Sequence, residues 1–200
     1  MIRSLFDTPG SVSSLRAYWK SDGFLPDPAA LAREMLGESD RAAIILAASL
    51  LDDALKNRIT QCLKITATEK QKEDIFAYPG PMGSFSDRTS LAYAFGFIDK
   101  DTAKQLNDLR ELRNACAHST KPITFSVTEV LNVLNRIFYR RGTVKLDTTS
   151  NKTIKRDFVF EFMFIHNTLI FGSREAGIKS VQDALTEALA ELSPSPDKPT

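Results

Sequence analysis

The chemistry that this chain can offer near neutral pH is concentrated in Leu109–Ser119, which reads LRELRNACAHS. The chain has only two histidines, and His118 is one of them. Histidine is the side chain that titrates near pH 7 without a large perturbation. Arg113 and Asn114 lie within a turn and a half of it. An arginine can hold a phosphate through two parallel hydrogen bonds, while an imidazole moves the proton. Arg113 as clamp, Asn114 as orienting amide and His118 as base or acid would suit cleavage of RNA by its own 2′-hydroxyl. Such chemistry needs no metal. On a regular helix Arg110, Asn114 and His118 fall on one ridge, four residues apart. Arg113, five residues before His118, is rotated off that ridge and needs an irregular helix end or a second chain to converge with it. The same residues also suit a purely structural role, since arginine and histidinium complement the negative end of a helix.

The elements that carry these residues read as helices. Asp27 and Pro28 open a short helix that runs through Leu36 and stops at Gly37. Ser39 caps a longer one from Asp40 to about Leu63, whose inward stripe is Ile44, Ala48, Leu51, Leu55 and Ile59. Residues 64–83 lose the period and end in Pro79, Gly80, Pro81 and Gly83, a rigid connection. A third helix, capped by Ser84 or Ser86 and running to Ile98, puts Leu91, Ala94, Phe95 and Ile98 inward. Asp99 caps the fourth, with Leu106, Leu109, Leu112 and Cys116 inward. A fifth spans Thr128–Tyr139 on Val130, Leu131, Leu134 and Ile137. Residues 141–155 read as a polar loop or small hairpin. In 157–171 the phenylalanines at 158, 160, 162 and 164 alternate as in a strand, yet Phe158, Phe162, Ile165 and Leu169 also fit a helix, and the period leaves both open. A last helix covers about 178–192. The expectation is an all-α fold: a single antiparallel helical bundle, residues 1–192. It divides into a short N-terminal helical arm (1–37), a central bundle (38–140) and C-terminal helices (141–192), with a flexible tail at 193–200.

Two further constellations stand out. Arg88 falls on the inward face of its helix, and Asp52 and Asp53 interrupt an apolar face of theirs. Mutual compensation predicts a partly buried ion pair between Arg88 and one of the two aspartates. The stretch 136–156 carries Arg136, Arg140, Arg141, Lys145, Lys152, Lys155 and Arg156 against Asp147 alone, beside Phe138 and Tyr139. Clustered cations with aromatics, joined by Arg110, are a candidate surface for a nucleic-acid backbone, and solvated surface is the plainer reading. His166, among apolar neighbours, reads as a packed histidine.

Composition sets the bounds. Two hundred residues, 42% hydrophobic and 26% charged, suit one globular domain, and a net charge of +1 gives no overall field toward nucleic acid. Cys62 and Cys116 are too few for a disulfide framework or a zinc site, so a metal and other cofactors are not expected. No signal-like or bilayer-spanning run stands out, which predicts a cytoplasmic protein that does not enter membranes.

With the helices placed, three blocks align in order: SDRAAIILAASLLDDALKNRI, GPMGSFSDRTSLAYAFGFID and LNDLRELRNACAHS. Over about residues 38–126 the chain resembles the mannitol operon repressor (MltR-like) family, most specifically through the GPMGSFSDR…LAYAFGFI block. The resemblance implies an all-helical transcriptional regulator acting through a protein partner. No helix-turn-helix pair stands out, so direct sequence-specific reading of DNA is not expected. The last block also resembles the arginine–polar–three residues–histidine motif of HEPN-type ribonucleases, on Arg113, Asn114 and His118. That likeness implies a metal-independent, toxin-like endoribonuclease whose site is assembled across a homodimer. The two readings share a fold and differ in whether these residues face an open basic cleft.

Overall fold

A computed structural model describes residues 27–63, 68–139, 146–172, 181 and 183–190 of the chain. Seven helices anchor the description: α1 (Pro28–Gly37), α2 (Asp40–Cys62), α3 (Glu69–Phe76), α4 (Phe85–Ala94), α5 (Lys100–His118), α6 (Thr128–Tyr139) and α7 (Asn151–Phe171). Residues 183–190 are also helical, and no strand occurs among the described residues. The all-α expectation holds.

Side-chain caps set most of the helix starts. Asp27 accepts from the amides of Ala29 and Ala30, Ser39 from Ala42, Asp99 from Thr102 and Ser150 from Thr153. Of the two serines considered for α4, Ser84 is the cap, in a reciprocal box with Asp87.

α2 is the spine, packed against α7, α5, α4 and α1. Its expected stripe is fully inward: Ile44, Ala48, Leu51, Leu55 and Ile59 are all buried. Arg41 at its start meets the end of α5, so those two helices run antiparallel. Gln105 and Asp108 of α5 reach Ile137 and Arg136 of α6, again antiparallel. α7 starts beside the start of α2, where Asn151 donates to Asp40, and ends beside Arg58 near the end of α2. α2 and α7 are therefore parallel. α1 adds Ala29, Leu31, Ala32 and Met35 to the same core.

Residues 157–171 lie within α7, which settles the open choice as helix. The reason for the ambiguity is physical: every residue from Glu161 to Asn167 is buried. A helix covered on all sides has no polar face, so its sequence carries no 3.6-residue signature. The helix also begins earlier than expected, at Asn151, so residues 151–155 are not loop or hairpin. It ends at Gly172, whose φ of 70° is left-handed. A side chain there would be strained, and its Cβ would lie 2.8 Å from the Arg58 guanidinium.

Two more expectations are corrected. Residues 64–83 contain α3, started by the Thr68–Gln71 capping box. The third helix stops at Ala94, and its inward face is Phe85, Arg88, Thr89 and Ala92. Phe95 is 54% exposed, Ala94 is exposed and Leu91 is half-buried; Ile98 is buried as expected. Two polar residues in the inward stripe displaced the apparent apolar face.

Candidate functional site

α5 exposes the residues on which the catalytic reading rests. Leu106, Leu109, Leu112 and Cys116 face the core, which turns Arg113 and His118 to solvent and leaves Asn114 half-buried. Arg113 Nη1 donates to Asn114 Oδ1 at 3.3 Å. Arg110 is drawn aside by Glu111, at 2.8 Å, rather than along the ridge. Among the described residues no hydrogen bond joins His118 to Asn114 or Arg113. The structure thus brings Arg113 onto Asn114 and leaves His118 apart, as the last residue of its helix.

The backbone at this end is firmly held by a residue that the sequence did not single out. Arg41 Nη1 donates to the carbonyls of Cys116 (3.0 Å) and Ser119 (3.1 Å), and its Nη2 to that of Lys121 (2.6 Å). A guanidinium over helix-terminal carbonyls satisfies acceptors that have no partner within the helix. Asp40 beside it accepts from the Phe125 amide (3.0 Å) and the Asn151 side chain (2.9 Å). Burial pushes the Cys116 thiol up from its ordinary value, against the pull of Arg41.

The basic stretch is divided. Arg140, Arg141 and Lys145 lie outside the described residues. Arg136 pairs with Asp108 at 3.0 Å and Arg156 with its neighbour Asp157 at 2.7 Å. Lys155 is largely buried, donating to the Glu38 carbonyl and facing Asp40 at 3.9 Å. Lys152 is exposed on the first turn of α7. Three of these cations are thus committed to partners within the chain.

The ion pair around Arg88 is built with Asp52, and Asp53 is not the partner. Arg88 Nε and Nη2 donate to the two carboxylate oxygens of Asp52 at 2.7 and 2.6 Å, a bidentate pair. Asp53 lies on the exposed side; partial desolvation first, then the charge of Asp52, hold its carboxyl above the usual carboxylate range. Arg88 Nη1 then reaches out of the pair to the carbonyls of Met82 (2.6 Å) and Phe76 (3.3 Å). These bracket the loop 77–83, AYPGPMG, which contains a cis Tyr78–Pro79 peptide. The Gly80 amide donates to Ala77 O at 2.6 Å, Met82 to Ile75 O at 3.0 Å and Gly83 to Gly80 O at 2.9 Å. A Cβ on Gly80 would strike the Asp74 carbonyl and lie 2.7 Å from that of Ala77, so only glycine fits. At the tip of this braced loop Tyr78 is 89% exposed.

Two pockets formed by described residues are lined by none of Arg113, Asn114 and His118. One, about 170 Å³, lies between the start of α5 and the end of α7; the other, about 10 Å³, sits among Gln105, Glu161 and core side chains. Gln105 bridges the Ile137 carbonyl (2.8 Å) and buried Glu161 (3.0 Å). His166 is 7% exposed, as expected for a packed histidine, with its ring 5.6 Å from that of Phe162. Desolvation lowers its pKa, only partly opposed by its hydrogen bond with Asn167. Among the described residues no group of three His, Cys, Asp or Glu is placed to hold a metal ion, and no helix is long and apolar enough to cross a membrane.

No protein-family model matches the chain. No curated protein matches it either. Among solved structures it is similar to the X-ray structure of the MtlR–HPr complex from Escherichia coli. That likeness has 17% identity and a TM-score of 0.48, and it covers 80% of this chain and 98% of the other.

Proposed function

We propose that this chain is a regulatory protein that acts through a protein partner, with the loop 77–83 as part of the contact surface. The single observation that carries this reading is the Arg88 clamp. A buried guanidinium, a bidentate carboxylate, two bracketed carbonyls and a sterically obligatory glycine hold a loop whose tip is a solvent-exposed tyrosine. Rigid presentation lowers the ordering cost of binding. Tyrosine is a frequent interface anchor because it offers a large apolar face and one polar tip. The same loop opens the GPMGSFSDR block, the most specific part of the resemblance to the MltR-like regulators.

A photo-crosslinking amino acid at position 78, in the full chain expressed in its native cell, tests this reading. The expected result is one dominant crosslinked protein, absent when the probe is moved to Lys104. With that protein purified, Tyr78→Ala should weaken binding at least about tenfold, the equivalent of 1.4 kcal/mol. Unchanged affinity for Tyr78→Ala and Pro81→Ala would remove the loop from the contact.

The ribonuclease reading has one observation in its favour. Arg113 and His118 are open to solvent, and Arg113 is already bonded to Asn114. In that reading a second copy would complete the site, and Lys152, exposed at the start of α7, would extend it along the RNA backbone. Incubation of wild type and His118→Ala with single-stranded and structured RNA in EDTA separates the readings. Cleavage by the wild type alone, leaving a cyclic phosphate, would favour the enzyme.

A further inference from the structure

The loop 77–83 offers a partner a one-sided set of hydrogen-bonding groups. Its N–H groups are nearly all used or missing. Pro79 and Pro81 have none. The amides of Gly80, Met82 and Gly83 donate inward, to the carbonyls of Ala77, Ile75 and Gly80, and that of Ala77 donates to Glu73. Among the described residues, this leaves the Tyr78 amide as the loop's one backbone donor without an acceptor. The acceptors divide differently. The carbonyls of Ala77, Gly80 and Met82 are bonded within the fold, whereas no described residue donates to those of Tyr78, Pro79 or Pro81. The side chains are as selective. Ala77, Tyr78, Pro79 and Pro81 are all exposed, and no acid or base occurs from Ala77 to Ser86. Asp87, just beyond this run, is engaged by the Ser84 cap at 2.7 Å.

These groups argue against two common modes of recognition. Addition of the loop to a sheet edge needs a row of outward N–H groups, and a single one makes no ladder. A cationic partner surface finds no carboxylate between Ala77 and Ser86 to pair with. What a partner must match is three rings, one of tyrosine and two of proline, and a set of carbonyls. Proline rings dock against aromatic side chains, and tyrosine packs on them as well. Carbonyls carried into such a contact lose their water and need donors from the other side.

We infer that the partner protein receives this loop in a groove walled by aromatic side chains and furnished with N–H or O–H donors, with Tyr78, Pro79 and Pro81 against the walls. This rests on the partner-binding reading above and names the chemistry of the surface that meets the loop. The protein that crosslinks at position 78, purified, is added to the full chain carrying isotopically labelled proline, and the complex is followed by NMR. Pro79→Ala and Pro81→Ala identify the two signals of interest. An aromatic face moves the protons above it upfield, so the ring protons of Pro79 and Pro81 should shift upfield on binding, while those of Pro28 and Pro122 hold their positions. Affinity should fall less than about threefold between about 0.05 and 0.5 M salt, a range over which screening weakens any pairing of exposed charges. Proline rings that do not move upfield, or a larger loss of affinity with salt, would overturn the aromatic groove and leave the crosslinked partner in place. No dominant crosslink at position 78 would remove the partner-binding reading itself, and the groove with it.

Discussion

Arg41 and Arg88 hold two different loops by their carbonyls, and they do so under different electrostatic terms. Arg88 is 7% exposed and engages both oxygens of Asp52 before it reaches Phe76 and Met82. Arg41 is half-buried, holds three carbonyls, and has no carboxylate partner among the described residues. Where water still reaches a guanidinium, helix-end and loop carbonyls suffice. Where water is excluded, the charge needs a counter-charge, because an unpaired buried ion costs several kcal/mol. The molecule therefore has a loop fixed by a buried ion pair, carrying Tyr78, and a helix end fixed by neutral acceptors, carrying His118.

That contrast is most exposed to test at Arg88. Arg88→Ala strands the Asp52 carboxylate and should cost about 3–5 kcal/mol, read as a large fall in the denaturant midpoint. Arg88→Met combined with Asp52→Leu should recover much of that loss, since charge burial and not volume sets the penalty. A double variant no better than Arg88→Ala would mean that the carbonyl bonds to the loop dominate instead.

A smaller effect is expected at Arg41. Arg41→Ala removes hydrogen bonds at a site that water can partly refill, so a loss of about 1–2 kcal/mol is expected. Faster amide exchange at Ser119 and Lys121 should accompany it, with the loop 77–83 unaffected. A cost equal to that of Arg88→Ala would erase the distinction between the two clamps.

The smallest effect comes from His166, a buried base that can escape the rule by losing its charge. Its folded pKa lies below the ordinary value of about 6.5 because desolvation disfavours the cation. As pH falls through that ordinary value, the unfolded chain takes up a proton that the folded one refuses. The contribution to stability is therefore complete above about pH 6.5 and declines as pH falls from there toward the folded pKa. Chemical melts of wild type and His166→Gln between pH 7.5 and about 5 should diverge in that direction. Parallel curves would mean that His166 takes up its proton equally in both states.

Much of this was legible in the chain. α2, α5 and α6 follow their apolar stripes, and Arg88 announced its burial by standing on an inward face. What the stripe could not tell was which of Asp52 and Asp53 answers it, because adjacent residues point about 100° apart around a helix and only the packing angle of α4 on α2 selects one. α3 was missed because EKQKED has almost no apolar signal; its one local mark was the Thr68-x-x-Gln71 box. Arg41 was missed for a different reason. It sits in the first turn of α2 like any surface arginine, and its acceptors are carbonyls some 75 to 80 residues away.

The sequence by itself determined the all-helical class, most of the caps, the stripes of α2, α5 and α6 and the need for a charge partner at Arg88, since each follows from local propensity and periodicity. Tertiary structure alone decided that α7 is a helix buried on every side through its middle, that Phe95 lies outside the core, and that Arg113 meets Asn114 while His118 stands apart. Those outcomes depend on which elements cover a face and on where a helix ends against its neighbours, and no local pattern encodes either.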